Sequence, residues 1–338
     1  MKAYELQNNA GIDALKLVER PEPKPQAGQI LVRVYATSLN YRDLIVATGT
    51  YNPTQKYPLI PMSDGAGEVI AVGEGVTRVK VGDRVAGIFF QDWIYGQLTR
   101  QKMKSDLGGG IDGMLAEHVI LHQYGVVILP DHLSYEEGAT LPCAAVTAWH
   151  ALVTKGNVNA NDTVLLLGTG GVSIFALQFA KIHGARVIIT SSSEEKLARA
   201  RELGADETIN YKITPDWDNQ VYELSDRTGV DHVIEVGGTG TLPKSLQAVR
   251  IGGRVSLIGV LSGRGEQVDP LPILFKSVTV QGIYVGSREI FEAMNQTIAQ
   301  HQVKPVIDKV FAFNEAQEAY RYLQSGSHFG KVVIKVTQ

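Results

Sequence analysis

The spacing of hydrophobic positions along the chain changes near residue 132. Before it, short β-branched runs such as GQILVRVYATSLN and GEVIAVGEGVTRVKVGDRVAGI partly alternate with polar residues and are broken by glycines. This pattern is typical of strands joined by tight turns. Prolines at every second position of RPEPKPQAG exclude a helix over 20–28 and predict an extended connector. The first 131 residues are therefore predicted to be β-rich.

From residue 132 onward, helix-like and strand-like segments alternate. The helical stretch SYEEGATLPCAAVTAWHALV leads to the apolar run TVLLLG. This alternation implies right-handed crossovers and a doubly wound, mostly parallel sheet. The tail adds two helical stretches and the strand GKVVIKV, and it could return to the first domain and complete it. Further strands are predicted at 186–191, 207–210, 232–236, 254–260 and 279–285, and helices at 172–183, 194–203, about 216–227 and 241–250.

Residues 91–113, QDWIYGQLTRQKMKSDLGGGIDG, follow no clean period. They fit neither the strand-like spacing before them nor the helical spacing after them. The sequence predicts a long surface excursion here, with a glycine hinge at Gly108 to Gly110.

Composition narrows the class of protein. The 338 residues suit two domains, and a hydrophobic content of 44% with 20% charged residues is that of a soluble globular protein. A net charge of −3 argues against nucleic acid or an anionic membrane as partner. The single cysteine, Cys143, rules out an internal disulfide and suits a reducing compartment. Because the amino-terminal stretch lacks the apolar core of a signal peptide, a cytoplasmic location is expected.

A glycine-rich turn, GTGG at 168–171, directly follows the apolar strand TVLLL and precedes a helical pattern. The first glycine permits a sharp turn, and the second lets the backbone approach a pyrophosphate lying against the unpaired amides of the helix start. A bare strand-to-helix turn is the alternative, but the alternation continues through six strands, which favours a dinucleotide site. The cofactor-binding residues predicted for this turn are Gly168, Gly170, Gly171 and Val172.

The third glycine of the usual dinucleotide fingerprint is replaced by Ser173, which predicts slightly looser packing of the helix on the strand. At the end of the second strand, Ser191 and Ser192 stand where an NAD site usually has an acidic residue. Their hydroxyls, with Lys196 one turn into the next helix, could bind a 2′-phosphate. Glu194 is counter-evidence, unless it only complements the helix dipole. NADPH is favoured over NADH.

The motifs along the chain resemble the medium-chain dehydrogenase/reductase superfamily, most closely its zinc-free quinone-oxidoreductase-like branch. The resemblance covers nearly the whole chain, and its order and spacing match. Its markers are LVRVYATSLNYRDL, PMSDGAGEVIAVGEGVTRVKVGDRV, LPCAAVTAWHAL, GTGGVSIFALQFAK, LGADETINY, GVDHVIEVGG, GGRVSLIGV and GKVVIKV.

This resemblance implies a two-domain α/β architecture. A GroES-like β-rich catalytic domain would comprise 1–131 and 285–338, and a Rossmann dinucleotide-binding domain 132–284, with the active site in the cleft between them. It also implies that Tyr211 and Gly259 contribute to the cofactor site. The last Rossmann strands, here 277–286, would pair two copies into a homodimer, which would cover an apolar edge.

Zinc-dependent relatives hold their catalytic metal with two cysteines and the histidine of a Gly-His-Glu stretch. The resemblance places Asn40, Ser63 and Cys143 at those positions, which is not a zinc donor set. A structural zinc lobe needs four cysteines, and the chain has one. Neither metal is expected, so no residue is predicted to be a metal ligand.

Without a metal, hydrogen-bond donors must stabilise developing oxyanion charge, which suits hydride transfer to an activated C=C bond of an enone or enal, or to a quinone. The family's cleft positions give Asn40, Tyr41 and Thr147 as the candidate catalytic residues, and Asp43 as a residue that orients Arg42 or Asn40. The alternatives are a zinc-free alcohol or carbonyl oxidoreductase and a non-enzymatic NADPH-binding protein. The partner is in each case a small molecule rather than nucleic acid or membrane.

Overall fold

The computed structural model describes residues 1–52, 54–263, 265 and 267–337. The chain forms two compact units, Met1–Val146 with Val285–Gln338 and Thr147–Tyr284. The first unit extends past residue 131 because the helical segment that follows packs on its strands. Tyr135 stacks on Tyr35 with ring centroids 4.3 Å apart. Helical periodicity alone does not say against which core a helix packs.

The described residues form strands and helices along the whole chain. The strands are β1 (Lys2–Leu6), β2 (Leu15–Glu19), β3 (Gln29–Leu39), β4 (Asp64–Val72), β5 (Arg84–Gly87), β6 (His118–His122), β7 (Val126–Ile128), β8 (Thr163–Leu167), β9 (Arg186–Ser191), β10 (Glu207–Asn210), β11 (Val230–Glu235), β12 (Val249–Leu257), β13 (Thr279–Gly282), β14 (Ile307–Ala312) and β15 (Lys331–Lys335). The α-helices are α1 (Tyr41–Ala47), α2 (Tyr135–Gly138), α3 (Val146–Trp149), α4 (Gly171–Ile182), α5 (Glu194–Glu202), α6 (Trp217–Leu224), α7 (Leu242–Ala248), α8 (Leu271–Phe275), α9 (Arg288–Gln300) and α10 (Ala316–Gln324).

The first unit is built on a mostly antiparallel sheet with strand order β14-β15-β3-β4-β5-β7, and β6 also pairs with β3. β15 runs antiparallel to β3, so that Val333 lies opposite Ser38. This pairing confirms that the carboxyl-terminal tail returns to the first domain and completes it. Val32 and Val34 of β3 and Tyr320 of α10 are fully buried in the core of this unit. The unit is the GroES-like domain.

The second unit is built on a parallel sheet with strand order β10-β9-β8-β11-β12-β13 among the described residues. This confirms the doubly wound Rossmann-type sheet. The strands at 186–191 and 207–210 have the predicted bounds. β12 starts earlier than the predicted strand at 254–260, because it already pairs with β11 at Val249 and resumes the pairing at Arg254 after a register shift.

The prediction of a surface excursion over 91–113 is wrong for its second half. Residues 105–109 are buried, and the Asp106 carboxylate accepts a hydrogen bond from the Arg42 guanidinium at 2.7 Å. A Cβ atom at Gly109 would lie 2.0 Å from that carboxylate. The glycines therefore permit close packing instead of forming a hinge. Among the described residues, none of the helices has both the length and the apolar composition that crossing a membrane requires.

Candidate active site

The glycine-rich turn joins β8 to α4 and leaves its outer face open. Gly168 has a φ of 70°, and a Cβ atom added at Gly168 or Gly170 would meet no atom of a described residue within 4 Å. Gly170 precedes the first residue of α4, Gly171, and no side chain of the described part of the chain caps this helix start. The amides from Gly171 and the half-buried Val172 onward are therefore available to an anion, where the helix dipole adds to the attraction. These residues fit the pyrophosphate of a dinucleotide.

Ser173 stands at the position of the third glycine, where slightly looser packing of the helix on the strand was predicted. Its buried hydroxyl donates a hydrogen bond to the Leu167 carbonyl oxygen at 2.7 Å, which ties α4 to the end of β8. The Gly168 amide in turn donates to Thr190 Oγ1 at 3.3 Å, which links the turn to β9. The glycine-rich turn is thus held from both sides by hydroxyl groups.

The residues predicted to bind the adenosine end lie at the carboxyl ends of β9 and β10. The Tyr211 amide donates to the Ser191 carbonyl oxygen at 3.1 Å, which brings these two residues together. Ser191 itself is buried, whereas Ser192 and Lys196 are half-buried and Tyr211 is exposed. Glu194 accepts a hydrogen bond from the Asn210 side chain at 2.6 Å. The side chains of Ser192, Lys196 and Tyr211 therefore reach solvent here, as do the exposed carboxylates of Glu194 and Glu195.

Sequence reasoning missed Glu235, which ends β11. Its fully buried carboxylate accepts hydrogen bonds from the Gly237 and Gly238 amides at 2.7 and 3.0 Å and from the Thr241 and Ser245 hydroxyls at 2.6 and 2.5 Å. A buried carboxylate requires this number of donors. Through these hydrogen bonds, the Glu235 carboxylate fixes the turn after β11. An acidic residue ending an apolar strand directly before a Gly-Gly pair could have indicated it.

Gly259 lies just beyond β12, at the same edge of the sheet. A Cβ atom there would come within 2.4 Å of the Val236 carbonyl oxygen, so only glycine allows the two chain segments to approach this closely. Its amide donates to the Glu235 carbonyl oxygen at 3.3 Å. The contact of Gly259 with the cofactor stays a prediction. In the structure, Gly259 allows the two chain segments to approach each other closely.

In the first unit, polar side chains gather where β3 ends and α1 begins. The backbone N–H of Asn40 donates a hydrogen bond to Asp43 Oδ2 at 2.8 Å. The Asn40 side-chain oxygen accepts a hydrogen bond from Lys331 Nζ at 2.6 Å, and the same ammonium donates to the Leu39 carbonyl oxygen at 2.6 Å. Lys331 Nζ also lies 3.9 Å from Asp64 Oδ2. Asn40 is thus held by two charged side chains, Asp43 and Lys331.

Asp64 connects Ser63 and Cys143 to the same cluster. Its carboxylate accepts hydrogen bonds from the Ser63 hydroxyl at 2.7 Å and from the Cys143 backbone amide at 3.2 Å. Burial raises the pKa of Asp64, and the Lys331 ammonium is the strongest influence that opposes this rise. Burial, together with the Asp64 charge, raises the pKa of the Cys143 thiol well above its ordinary value. The thiol is therefore neutral at physiological pH.

The side chains at the positions of zinc ligands do not fit a zinc ion. Asn40 and Ser63 offer a neutral amide and a hydroxyl where zinc sites have Cys or His, and the Asn40 amide oxygen already accepts a hydrogen bond from the Lys331 ammonium. Within the described parts of the chain, no three His, Cys, Asp or Glu side chains are grouped to hold a metal ion.

The remaining predicted residues differ in accessibility. Tyr41, the first residue of α1, is 46% exposed, whereas Thr147 in α3 is buried and begins the second unit. Asp43 contacts both residues that it was expected to orient, since its Oδ1 lies 3.5 Å from Arg42 as well. Burial raises the pKa of Asp43 to about 6 against the opposing effect of Arg42. Of the predicted catalytic residues, Tyr41 is the most exposed, Asn40 is half-buried and Thr147 is buried.

Comparison with known proteins identifies the class. Residues 26–131 match the family model of the alcohol dehydrogenase GroES-like domain, and 171–300 match that of zinc-binding dehydrogenases. A zinc-type alcohol dehydrogenase-like protein from Schizosaccharomyces pombe is 44% identical over 334 residues, which cover 97% of this chain and 96% of that protein. A crystal structure from Sinorhizobium meliloti 1021 has a TM-score of 0.93 at 44% identity and covers 99% of this chain and 98% of its own.

Acryloyl-coenzyme A reductase from Metallosphaera sedula and quinone oxidoreductase from Rattus norvegicus are each 29% identical to this chain. The matches cover 94% and 99% of this chain, and 95% and 97% of those proteins. The chain belongs to the medium-chain dehydrogenase/reductase superfamily, a family of oxidoreductases with nicotinamide cofactors, as its sequence motifs predicted.

Proposed function

We propose that the protein is a zinc-independent, NADPH-dependent reductase of an activated C=C bond, as in an enone or enal, or of a quinone. The observation that carries this proposal is the donor cluster around Asn40. It combines neutral hydrogen-bonding side chains with the buried Lys331 ammonium and the carboxylates of Asp43 and Asp64, at positions where zinc-dependent relatives hold a metal. The names of two relatives, an acryloyl-coenzyme A reductase and a quinone oxidoreductase, support the same reaction class.

NADPH held at the glycine-rich turn would supply a hydride to the β-carbon. The C=C π pair would shift to the bond between the α-carbon and the carbonyl carbon, the carbonyl π pair would move onto the oxygen, and a solvent proton at the α-carbon would complete the saturated product. The protein must bind the oxygen on which negative charge develops. Asn40 and Tyr41 are our candidates for donating hydrogen bonds to it, because such donors stabilise an oxyanion without a metal. Thr147 is our candidate for orienting the nicotinamide. The pyrophosphate would be bound by the open amides of the glycine-rich turn.

A substrate panel tests the reaction. Purified, tag-free protein is assayed for NADPH oxidation with enones, quinones and saturated aldehydes, and for NADP⁺ reduction with ethanol, each with and without a chelator. We expect turnover of an enone or quinone that the chelator does not change, and far less than one zinc per chain. Chelator-sensitive ethanol oxidation with inert enones would instead indicate an alcohol dehydrogenase. Tight NADPH binding without any turnover would indicate a non-enzymatic protein.

Lys196 is expected to set the preference for NADPH. Changing Lys196→Ala should weaken NADPH binding by about 1–3 kcal/mol, the range for hydrogen bonds to charged groups, and leave NADH binding nearly unchanged. The dissociation constants of both cofactors are measured by fluorescence titration. Arg201→Ala, on the exposed side of the same helix, is the matched control and should change neither. Equal losses for NADPH and NADH would remove Lys196 from the 2′-phosphate site.

We also propose a homodimer through the outer strand of the Rossmann sheet. β13 ends the strand order of this sheet among the described residues, and α8 directly before it exposes 69% of Leu274 and 75% of Phe275. An apolar surface beside an open strand edge is suited to a second copy of itself. Light scattering at micromolar concentration should give twice the chain mass, and Phe275→Glu should shift it toward the monomer. Ile213→Glu, at a residue that is 73% exposed elsewhere in this unit, should not. A monomeric wild-type protein would contradict the proposal.

A further inference from the structure

Lys331 places a positive charge inside the polar cluster of the first unit. It begins β15 and is only 3% exposed. Its ammonium donates at 2.6 Å to each of two oxygens, the Leu39 carbonyl and Asn40 Oδ1, and has the Asp64 carboxylate at 3.9 Å. A buried ammonium is costly without such partners. The cluster therefore contains a fixed cation that sequence reasoning did not assign to any function.

The contact with Lys331 determines which end of the Asn40 amide faces the ammonium. An ammonium group only donates hydrogen bonds, so the amide atom at 2.6 Å from it must be the oxygen. The Nδ2 group, with two N–H donors, then points elsewhere. It is buried and completes no hydrogen bond of ordinary geometry with a described residue.

Asp64 is the acidic neighbour toward which one of these N–H groups can turn. Burial raises the pKa of Asp64, and Asn40 is among the groups that hold this rise down, after Lys331. Because Nδ2 carries two hydrogens, a second donor remains for an incoming oxygen.

We propose that Lys331 is a positioning residue that fixes the orientation of the Asn40 amide, so that one Nδ2 donor faces Asp64 and the other is left for the substrate oxygen. The inference rests on the proposed function, in which Asn40 binds that oxygen. Lys331 also polarises the amide through its oxygen, and hydrogen bonds in such a chain strengthen one another where the surroundings are poorly polar. A side-chain cation thereby acts through Asn40 at a position where zinc-dependent relatives hold a metal.

A double-mutant cycle tests the proposal. The variants are Lys331→Met, Asn40→Ala and the combination of the two, assayed on the best substrate of the panel. Lys335→Met, at the exposed end of the same strand, is the matched control. We expect Asn40→Ala to lower kcat about 100-fold and Lys331→Met about 10- to 100-fold, with the dissociation constant for NADPH within about twofold of wild type. The double variant should be no more than about twofold worse than Asn40→Ala, because Lys331 acts through Asn40.

Independent losses that multiply in the double variant would overturn the positioning role, as would a Lys331→Met protein with full kcat. If Lys331→Met does not fold, Lys331→Gln serves in its place. Gln keeps a polar contact but can both donate and accept, so it no longer dictates the Asn40 orientation. Lys331→Gln should then also lower kcat, and an unchanged kcat would overturn the proposal.

The amide orientation is tested without turnover by neutron diffraction from deuterated crystals, which distinguishes a deuterated nitrogen from oxygen. We expect a fully deuterated ammonium on Lys331 facing the Asn40 oxygen. Finding Asn40 Nδ2 against Lys331 would overturn the inference while leaving the proposed reaction intact. If the wild-type protein reduces nothing in the panel, the proposed function fails, and the proposed effect of Lys331 on kcat fails with it. The neutron result still tests whether Lys331 orients the Asn40 amide.

Discussion

Replacing Arg42 with methionine is expected to lower the free energy of unfolding by about 3–5 kcal/mol, the usual cost of removing one partner from a buried ion pair. The Arg42 guanidinium is buried and donates at 2.7 Å to both the Asp106 carboxylate and the Leu107 carbonyl oxygen. It also lies over the rings of Tyr51 and Phe89, at 4.6 and 4.9 Å from their centroids. Methionine has a similar length but leaves Asp106 buried without its cation. Urea denaturation measures the change.

The loss from Arg42→Met should depend on pH in a defined direction. Burial raises the pKa of Asp43 to about 6 in the folded protein, against the opposing effect of Arg42. Removing Arg42 raises it further. A carboxyl whose pKa rises on folding costs stability as the pH increases from its unfolded pKa through its folded one. The destabilisation should therefore be larger at pH 8 than at pH 5.

Lys80→Met is the matched control, because Lys80 forms an exposed ion pair with Asp83 in the same unit. It should change the unfolding free energy by less than about 1 kcal/mol at either pH. A loss from Arg42→Met as small as that of the control would mean that the segment at 105–109 is held in place by other contacts. A loss that is larger at pH 5 than at pH 8 would contradict the assigned role of Asp43.

The Arg42 contacts also show why sequence reasoning failed over 91–113. The spacing of apolar residues is a local signal, and it located β9 and β10, whose short apolar runs are bounded by polar residues. The segment at 105–109 has no such period. It is buried through an ion pair with a residue 64 positions earlier in the chain, which no local pattern encodes.

The same distinction separates the site residues that the sequence predicted from those it missed. Gly168 and Gly170 could be predicted from the nearby sequence, because the conformation of the turn depends only on the backbone and its neighbours. Lys331 reaches Asn40 across 291 positions of sequence, and its strand, GKVVIKV, looks like an ordinary solvent-flanked strand. Asn40 itself was identified through a resemblance, and its hydrogen-bonding partners required the folded chain.

Tyr41→Phe is expected to lower kcat roughly 10- to 1,000-fold on the best enone, the range for losing one oxyanion donor. The Tyr41 side chain is 46% exposed, so its hydroxyl can reach solvent. The hydroxyl is therefore free to donate to a substrate oxygen, and its removal leaves no buried group unpaired. Steady-state kinetics measure the change. Binding of NADPH should barely respond, since the phosphate-binding residues are those of the glycine-rich turn.

The alternative role of Tyr41 is a packing aromatic, which predicts the opposite result. Phenylalanine keeps the ring, so a packing role would leave kcat unchanged, and a half-exposed site should keep the unfolding free energy within about 0.5 kcal/mol in either case. Tyr124→Phe is the control, because Tyr124 is 45% exposed in the same unit and lies outside the proposed site. Full activity of Tyr41→Phe would leave Asn40 as the remaining candidate donor, and the reaction would then depend on the Lys331–Asn40 contact alone to orient that donor.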